Sequence, residues 1–408
     1  MDVVDEIASF AVVILGIAGA VLLALLASRL LARLPLPIPE PAVFLLGAAG
    51  VATAFPDLRA ELSILGVERI ATVALIVILF SGGMELGWRR VREAAVPILS
   101  LGVLGTFATA ALVAVAAHAV LDFGWTASWL LGAALAPTDP AVMFSVLGGK
   151  EASGRTGIIL QGEAGANDPA GIALMIGLIE LATNDAAGPS DVVVEFTVQM
   201  GIGLALGLAL GWVLVQVMRR VALPGAGLYP LRTLAASGLI YGVTSVAHGS
   251  GFLAVFIAGM LVGDARAPFK RDIERFHAAL ASLGEIVVFV ALGLTVSYRS
   301  LGEEGLWMDA LTIGALLAVL IRPLAVGPLL LPVRLRPAER VFILWGGLKG
   351  AVPIILAAFA VTSGAVQSEP IYRIVFVAVA FSVVVQGASI PWVARRLGVP
   401  MRDAEDFP

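Results

Sequence analysis

The feature that most constrains this chain is a long succession of apolar stretches, most of them as long as a bilayer is thick. A hydrocarbon core of about 30 Å is crossed by about 20 helical residues. Apolar runs fall near 7–31, 37–55, 70–87, 94–121, 125–147, 155–181, 191–218, 233–247, 249–263, 278–297, 307–331, 341–361 and 371–394. Composition excludes a water-soluble globule: 59% of the 408 residues are hydrophobic, 14% are charged, and the mean hydropathy is +0.99. The chain is therefore read as an all-α, polytopic membrane protein of about thirteen transmembrane helices. With no Cys, it can form no disulfide, thiol nucleophile or Fe–S cluster. The three His, at 118, 248 and 277, lie on distant segments and do not suggest a metal centre.

Basic residues supply the orientation. If thirteen spans start with the N-terminus outside, twenty of the 26 Lys and Arg fall in seven inside segments. Three (Arg59, Arg69 and Arg299) fall outside, a bias that matches the positive-inside rule. The eighth and ninth runs are short and could form one helix interrupted at His248-Gly249-Ser250-Gly251. Arg and Lys flank both ends of this pair, so an even number of crossings separates them and two short helices are expected. The opening Met-Asp-Val-Val-Asp-Glu lacks the basic region of a cleaved signal peptide and is read as the outer end of the first span. The expected location is the cell membrane, with residues 397–408 forming a short cytoplasmic tail.

Thirteen spans divide as six, one and six. The expected units are a first repeat at 1–190, a linker span at 191–220 and a second, inverted repeat at 221–396. Oppositely oriented halves with interrupted helices at mid-depth are a common plan for secondary transporters. The fifth span of each half carries helix-breaking chemistry: Ala136-Pro137-Thr138-Asp139-Pro140 in the first, and Trp345 through Pro353 in the second. An opened helix leaves a negative and a positive end in a dry medium, and Asp139 and Lys349 are placed to neutralise them.

Other charges lie at the same depth. Glu163 and Asn167 share a face of the sixth span, with Asp168 next to them, and Arg322 lies in the middle of the eleventh. Charges inside apolar spans are costly unless paired, ion-bound or protonated. Glu163 and Arg322 are expected as a fixed pair, leaving Asp139 and Asp168 for a mobile charge. Carboxylate, amide and the Thr138 oxygens suit a hard alkali cation. A proton or a cation can neutralise such a carboxylate, but not both at once. If the protein changes face only when the site is occupied, that exclusion produces antiport.

These residues resemble the cation:proton antiporter superfamily, in its NhaP-like branch of sodium/proton exchangers. The matching stretches are Phe80-Ser81-Gly82-Gly83, Thr138-Asp139-Pro140, Gly162-Glu163 with Asn167-Asp168, Arg322-Pro323-Leu324-Ala325-Val326, and Trp345 through Pro353. Gly249 through Gly259 and Leu348-Lys349-Gly350-Ala351-Val352-Pro353 look most like its potassium/proton side. The resemblance implies Na⁺ or K⁺ ligation by Asp139, Asp168 and the Thr138 backbone, with Glu163 and Asn167 close by, and an Arg322–Glu163 pair. It also implies electroneutral exchange, a homodimer and an elevator-like motion, with no cofactor, enzymatic activity or nucleic-acid partner. Ala164 and Ser81 depart from the pattern, each lacking a side chain common in relatives, and Glu285 is an additional intramembrane acid.

Other readings explain less. An intramembrane aspartyl protease using Asp139 and Asp168 leaves Arg322, Lys349 and the helix breaks without a role. A serine nucleophile at Ser250 beside His248 lacks a third partner. A cation channel could use the same charged core, but it needs no counter-transport. The Gly201, Gly203, Gly207 and Gly211 run on the seventh span reads as close helix packing rather than a nucleotide loop.

Overall fold

The computed structural model describes residues 19, 21–30, 38–56, 63–147, 150–303 and 305–403. Most of the first expected span, together with Arg33, Arg59 and residues 404–408, lies outside the described residues. Helices occupy the expected segments in order: α1 (Val21–Leu30), α2 (Glu40–Ala54), α3 (Ile64–Leu86), α4 (Ala95–Leu121), the broken pair α5a (Trp125–Leu135) and α5b (Pro140–Val146), and α6 (Gly154–Thr183). They continue with α7 (Pro189–Arg220), α8 (Leu228–Val246), α9 (Gly251–Gly263), α10 (Lys270–Leu294), α11 (Leu306–Leu330), the broken pair α12a (Pro337–Trp345) and α12b (Ala351–Thr362), and α13 (Ser368–Leu397). Among the described residues, six helices are long and apolar enough to cross a bilayer unaided: α3, α4, α7, α10, α11 and α13.

Local chemistry sets the boundaries. The Ser63 hydroxyl accepts the Gly66 N–H at 3.0 Å to start α3, and Gly87 ends it at φ 71°. The doubtful pair is two helices. His248 adopts φ 59° in the turn, and Ser250 caps α9 by accepting the Leu253 N–H at 3.3 Å. These two residues are thus employed by a turn.

Close packing follows the small residues. A Cβ on Gly203, Gly207 or Gly211 would meet Ser250 O at 2.7 Å, Ala254 Cα at 2.8 Å or Ala258 Cα at 2.9 Å, so these glycines let α7 lie directly on α9. Gly83 of α3 and Gly259 of α9 allow the same approach from opposite sides. Helices α2, α3, α7, α8, α9 and α10 pack mainly with one another. A second group comprises α4, α5a, α5b, α6, α11, α12a, α12b and α13, and the groups meet chiefly where α6 lies on α7 and α3 on α12b.

Two features depart from a uniform helical bundle. Wide π turns interrupt α4 at Ser100–Leu104, α11 at Leu317–Ile321 and α13 at Ser382–Gly387. Pro323 and Pro391 follow the second and third of these turns, and each lacks the N–H that would bond the carbonyl four residues back, at Val319 and Gly387. The segment expected as a plain tail also forms a strand, β2 (Met401–Asp403), antiparallel to β1 (Lys150–Ala152). An ion pair of 3.0 Å between Arg402 and Glu151 fastens this ribbon.

Candidate ion-binding site

The two helix breaks meet. The Asp139 N–H donates to Leu348 O at 2.8 Å, joining residues 136–139 directly to residues 346–350. Pro140 is the first residue of α5b and Pro353 the third of α12b, where a missing N–H leaves no intrahelical bond unmade. The chain therefore opens just before each helix resumes.

Each break exposes carbonyls that need donors in a dry interior. Lys349 Nζ donates to Ala136 O and Pro137 O, both at 2.9 Å, and so closes the C-terminal end of α5a. The C-terminal end of α12a is closed by Arg322, whose Nε donates to Leu344 O at 2.9 Å and whose Nη2 donates to Ile343 O at 3.2 Å. Arg322 Nη2 also stands 2.9 Å from Glu163 Oε1. Arg322 therefore does more than the pairing expected from sequence, since it serves two carbonyls and a carboxylate together. The π turn at Leu317–Ile321 immediately precedes it on α11.

Two glycines make room for these charges. A Cβ on Gly347 would overlap the Arg322 guanidinium, and one on Gly350 would overlap the Asp139 carboxylate. Gly350 is the N-cap of α12b, so Asp139 lies against the positive end of that helix. Among the expected residues, Asp139 is half-buried, while Thr138, Glu163, Asn167, Asp168, Arg322 and Lys349 are buried.

Asn167 holds Thr138 from both sides. Its Nδ2 donates to Thr138 Oγ1 at 2.7 Å, and its Oδ1 accepts the Thr138 N–H at 3.3 Å. One turn of α6 therefore fixes the orientation of the first break. The adjacent Asp168 is only 9% exposed, and among the described residues its Oδ1 has no hydrogen-bond partner. The charges acting on it are those of Asp139 and Lys349. An unpartnered buried carboxylate oxygen is expensive, and a proton or a hard cation would satisfy it.

The structure adds three residues that sequence reasoning did not select: Ser382, Gln386 and Ser389. Ser382 Oγ accepts the Lys349 N–H at 2.9 Å and donates to Gln386 Oε1 at 2.8 Å. Trp345 Nε1 donates to Ser389 Oγ at 2.8 Å, which in turn donates to Gln386 O at 2.6 Å. The π turn of α13 thereby wraps the second break. A signal was available: Ser382 and Gln386 are polar, four apart, and sit inside an otherwise apolar span. Ser81 and Ala164 are buried and add no charge. Glu285, on α10, has a buried Oε1 that finds no hydrogen-bond partner among the described residues.

Fold and site together define a class: a polytopic helical membrane protein whose two broken helices meet among buried charges. A profile of the sodium/hydrogen exchanger transmembrane family matches residues 9–396, and the chain belongs to that family. It is 37% identical over 341 residues to the K(+)/H(+) antiporter NhaP of Alkalimonas amylolytica, an alignment covering 83% of this chain and 59% of that protein. A second relative, the K(+)/H(+) antiporter NhaP2 of Shewanella sp. (strain ANA-3), is 32% identical over 80% of this chain and 57% of its own length. The chain thus spans less than three-fifths of these two relatives. The sodium proton antiporter MjNhaP1 from Methanocaldococcus jannaschii superposes with a TM-score of 0.80, covering 95% of this chain and 99% of that one. At 20% identity, this likeness establishes the fold.

Proposed function

We propose that this chain is a secondary transporter, not an enzyme, which exchanges a monovalent cation, Na⁺ or K⁺, for protons across a cell membrane. The observation that carries this reading is Asp168, a buried carboxylate with an unpartnered oxygen beside two meeting helix breaks. Every neighbouring cation already has a structural task. Arg322 serves Glu163 and the end of α12a, and Lys349 serves the end of α5a. The mobile charge is therefore left to the Asp139–Asp168 pair, with Thr138 oxygens alongside and Asn167 orienting them.

Exchange follows from exclusion. When the cation occupies the pair, no proton is held there; when protons arrive, the cation leaves. Either occupant lowers the cost of the buried negative charge enough for the site to change face. With one cation traded for one proton, the cycle is electroneutral. The K(+)/H(+) antiporter relatives and the Na(+)/H(+) antiporter ApNhaP of Aphanothece halophytica, 25% identical over 374 residues, agree with this reading and leave both cations open.

The unit arrangement belongs to the same proposal. Residues 1–190 and 221–396 form inverted halves around a linker at 191–220, with the N-terminus outside and the C-terminus cytoplasmic. Support comes from recurrence, since π turns fall in the fourth span of each half and breaks in the fifth. The α4–α6 and α11–α13 group carries the site and moves against the other group within a homodimer.

The test uses proteoliposomes with an imposed pH gradient and a trapped pH dye. Added Na⁺ or K⁺ should move protons for the wild type, and Asp168→Asn should abolish that response. Full activity in Asp168→Asn would overturn the assignment, and cation flux without obligate proton movement would favour a channel.

A further inference from the structure

A cavity of about 260 Å³ opens on the face where the Arg-rich segments emerge, away from the broken helices. Its walls are the last turns of α7, the end of α9 and the start of the short helix Trp88–Glu93. On α7, Trp212, Gln216 and Arg219 stand at positions i, i+4 and i+7 and share one face. Opposite them are Leu261, Asp264 and Arg89.

The charge in this cavity is cationic, although it contains an acid. Asp264 Oδ2 accepts the Arg89 N–H at 2.8 Å, so its carboxylate is engaged in capping the Trp88–Glu93 helix. The Arg89 and Arg219 side chains are exposed at the mouth, two guanidinium groups against one capped carboxylate. Below them the lining turns apolar at Leu261 and Trp212, and Trp212 is 60% exposed to the surrounding medium. Seven residues of helix separate Trp212 from Arg219, a rise of about 10 Å. The headgroup region is about 5–7 Å thick on each side of a bilayer, so with Arg219 at the phosphates Trp212 reaches the first part of the acyl chains. Arginine forks favour phosphate oxygens, and basic hollows between transmembrane helices are suited to anionic headgroups.

We infer that this cavity binds an anionic glycerophospholipid, its phosphate between Arg89 and Arg219 and its glycerol and acyl origin along Leu261 and Trp212. Free phosphate shares the arginine chemistry but makes no use of the apolar wall. The α7 and α9 walls belong to the helix group that does not carry the charged breaks, so a lipid there acts as an anchor for α7 and α9.

The purified protein in neutral detergent provides the test, read by its melting temperature during titration with phosphatidylglycerol, phosphatidylcholine or inorganic phosphate. Phosphatidylglycerol alone should raise the midpoint saturably. The double variant Arg89→Gln/Arg219→Gln should shift its half-saturation at least about tenfold, as expected when charge-assisted contacts are lost. Trp212→Ala should weaken phosphatidylglycerol without creating a phosphate response. A control pair on exposed basic residues elsewhere, Arg395→Gln/Arg396→Gln, should titrate like the wild type. Equal stabilisation by phosphatidylcholine or by inorganic phosphate would overturn the proposal. So would an unshifted half-saturation in the Arg89/Arg219 variant, or an equal loss in the control. Because the readout is lipid binding, failure here is separable from failure of the antiport reading.

Discussion

Arg322 holds three oxygens from one planar group: Glu163 Oε1 at 2.9 Å, Leu344 O at 2.9 Å and Ile343 O at 3.2 Å. Removing it strands a carboxylate that is 2% exposed, a change that costs about 3–5 kcal/mol for a buried pair. Arg322→Ala should therefore lower both the melting temperature and the transport rate severely. Arg322→Lys keeps the charge but cannot span all three acceptors, so it should fall between that variant and the wild type. Equal losses in the two variants would show that the pairing with Glu163 contributes nothing. Sequence alone justified this pair from depth and charge count. It did not disclose the two carbonyls, because a helix end becomes an acceptor only after the chain has opened.

At the scale of elements, the site is made by interruptions: two breaks that meet through Asp139 N–H and Leu348 O, and a π turn in α13 that closes over the second. Ser382 is the joint, accepting the Lys349 N–H in a position 2% exposed. Ser382→Ala leaves that buried N–H without an acceptor, a loss of about 1–3 kcal/mol. Antiport should then slow by roughly tenfold, while Ser382→Thr, which keeps the hydroxyl, should retain most of the rate. Identical rates for Ala and Thr would remove Ser382 from the account. The breaks themselves were legible in the sequence because Pro and Gly beside a charge have local consequences. The β1–β2 ribbon was not, since it pairs segments far apart in the chain. Ser382 and Gln386 were readable as polar residues in an apolar span, yet their partner is a backbone N–H 33 residues away.

At the scale of the whole molecule, scarcity of charge organises the protein: most basic residues mark its faces, and the few at mid-depth mark its site. The complete absence of Cys makes the proposed orientation directly measurable. In intact cells, a membrane-impermeant maleimide should label Ala186→Cys, between α6 and α7, but not Ala226→Cys, between α7 and α8. The reverse pattern would invert the proposed orientation. The central claim, that cation and proton compete for one carboxylate site, is tested most directly by antiport kinetics in proteoliposomes over a matrix of cation concentration and pH. Protonation of the site should raise the apparent KM for the cation as pH falls, approaching about tenfold per pH unit on the acid side, while the maximal rate stays constant. On the alkaline side KM should level off. A KM that ignores pH while the maximal rate falls would mean that the proton acts elsewhere, and would contradict the shared site at Asp139 and Asp168.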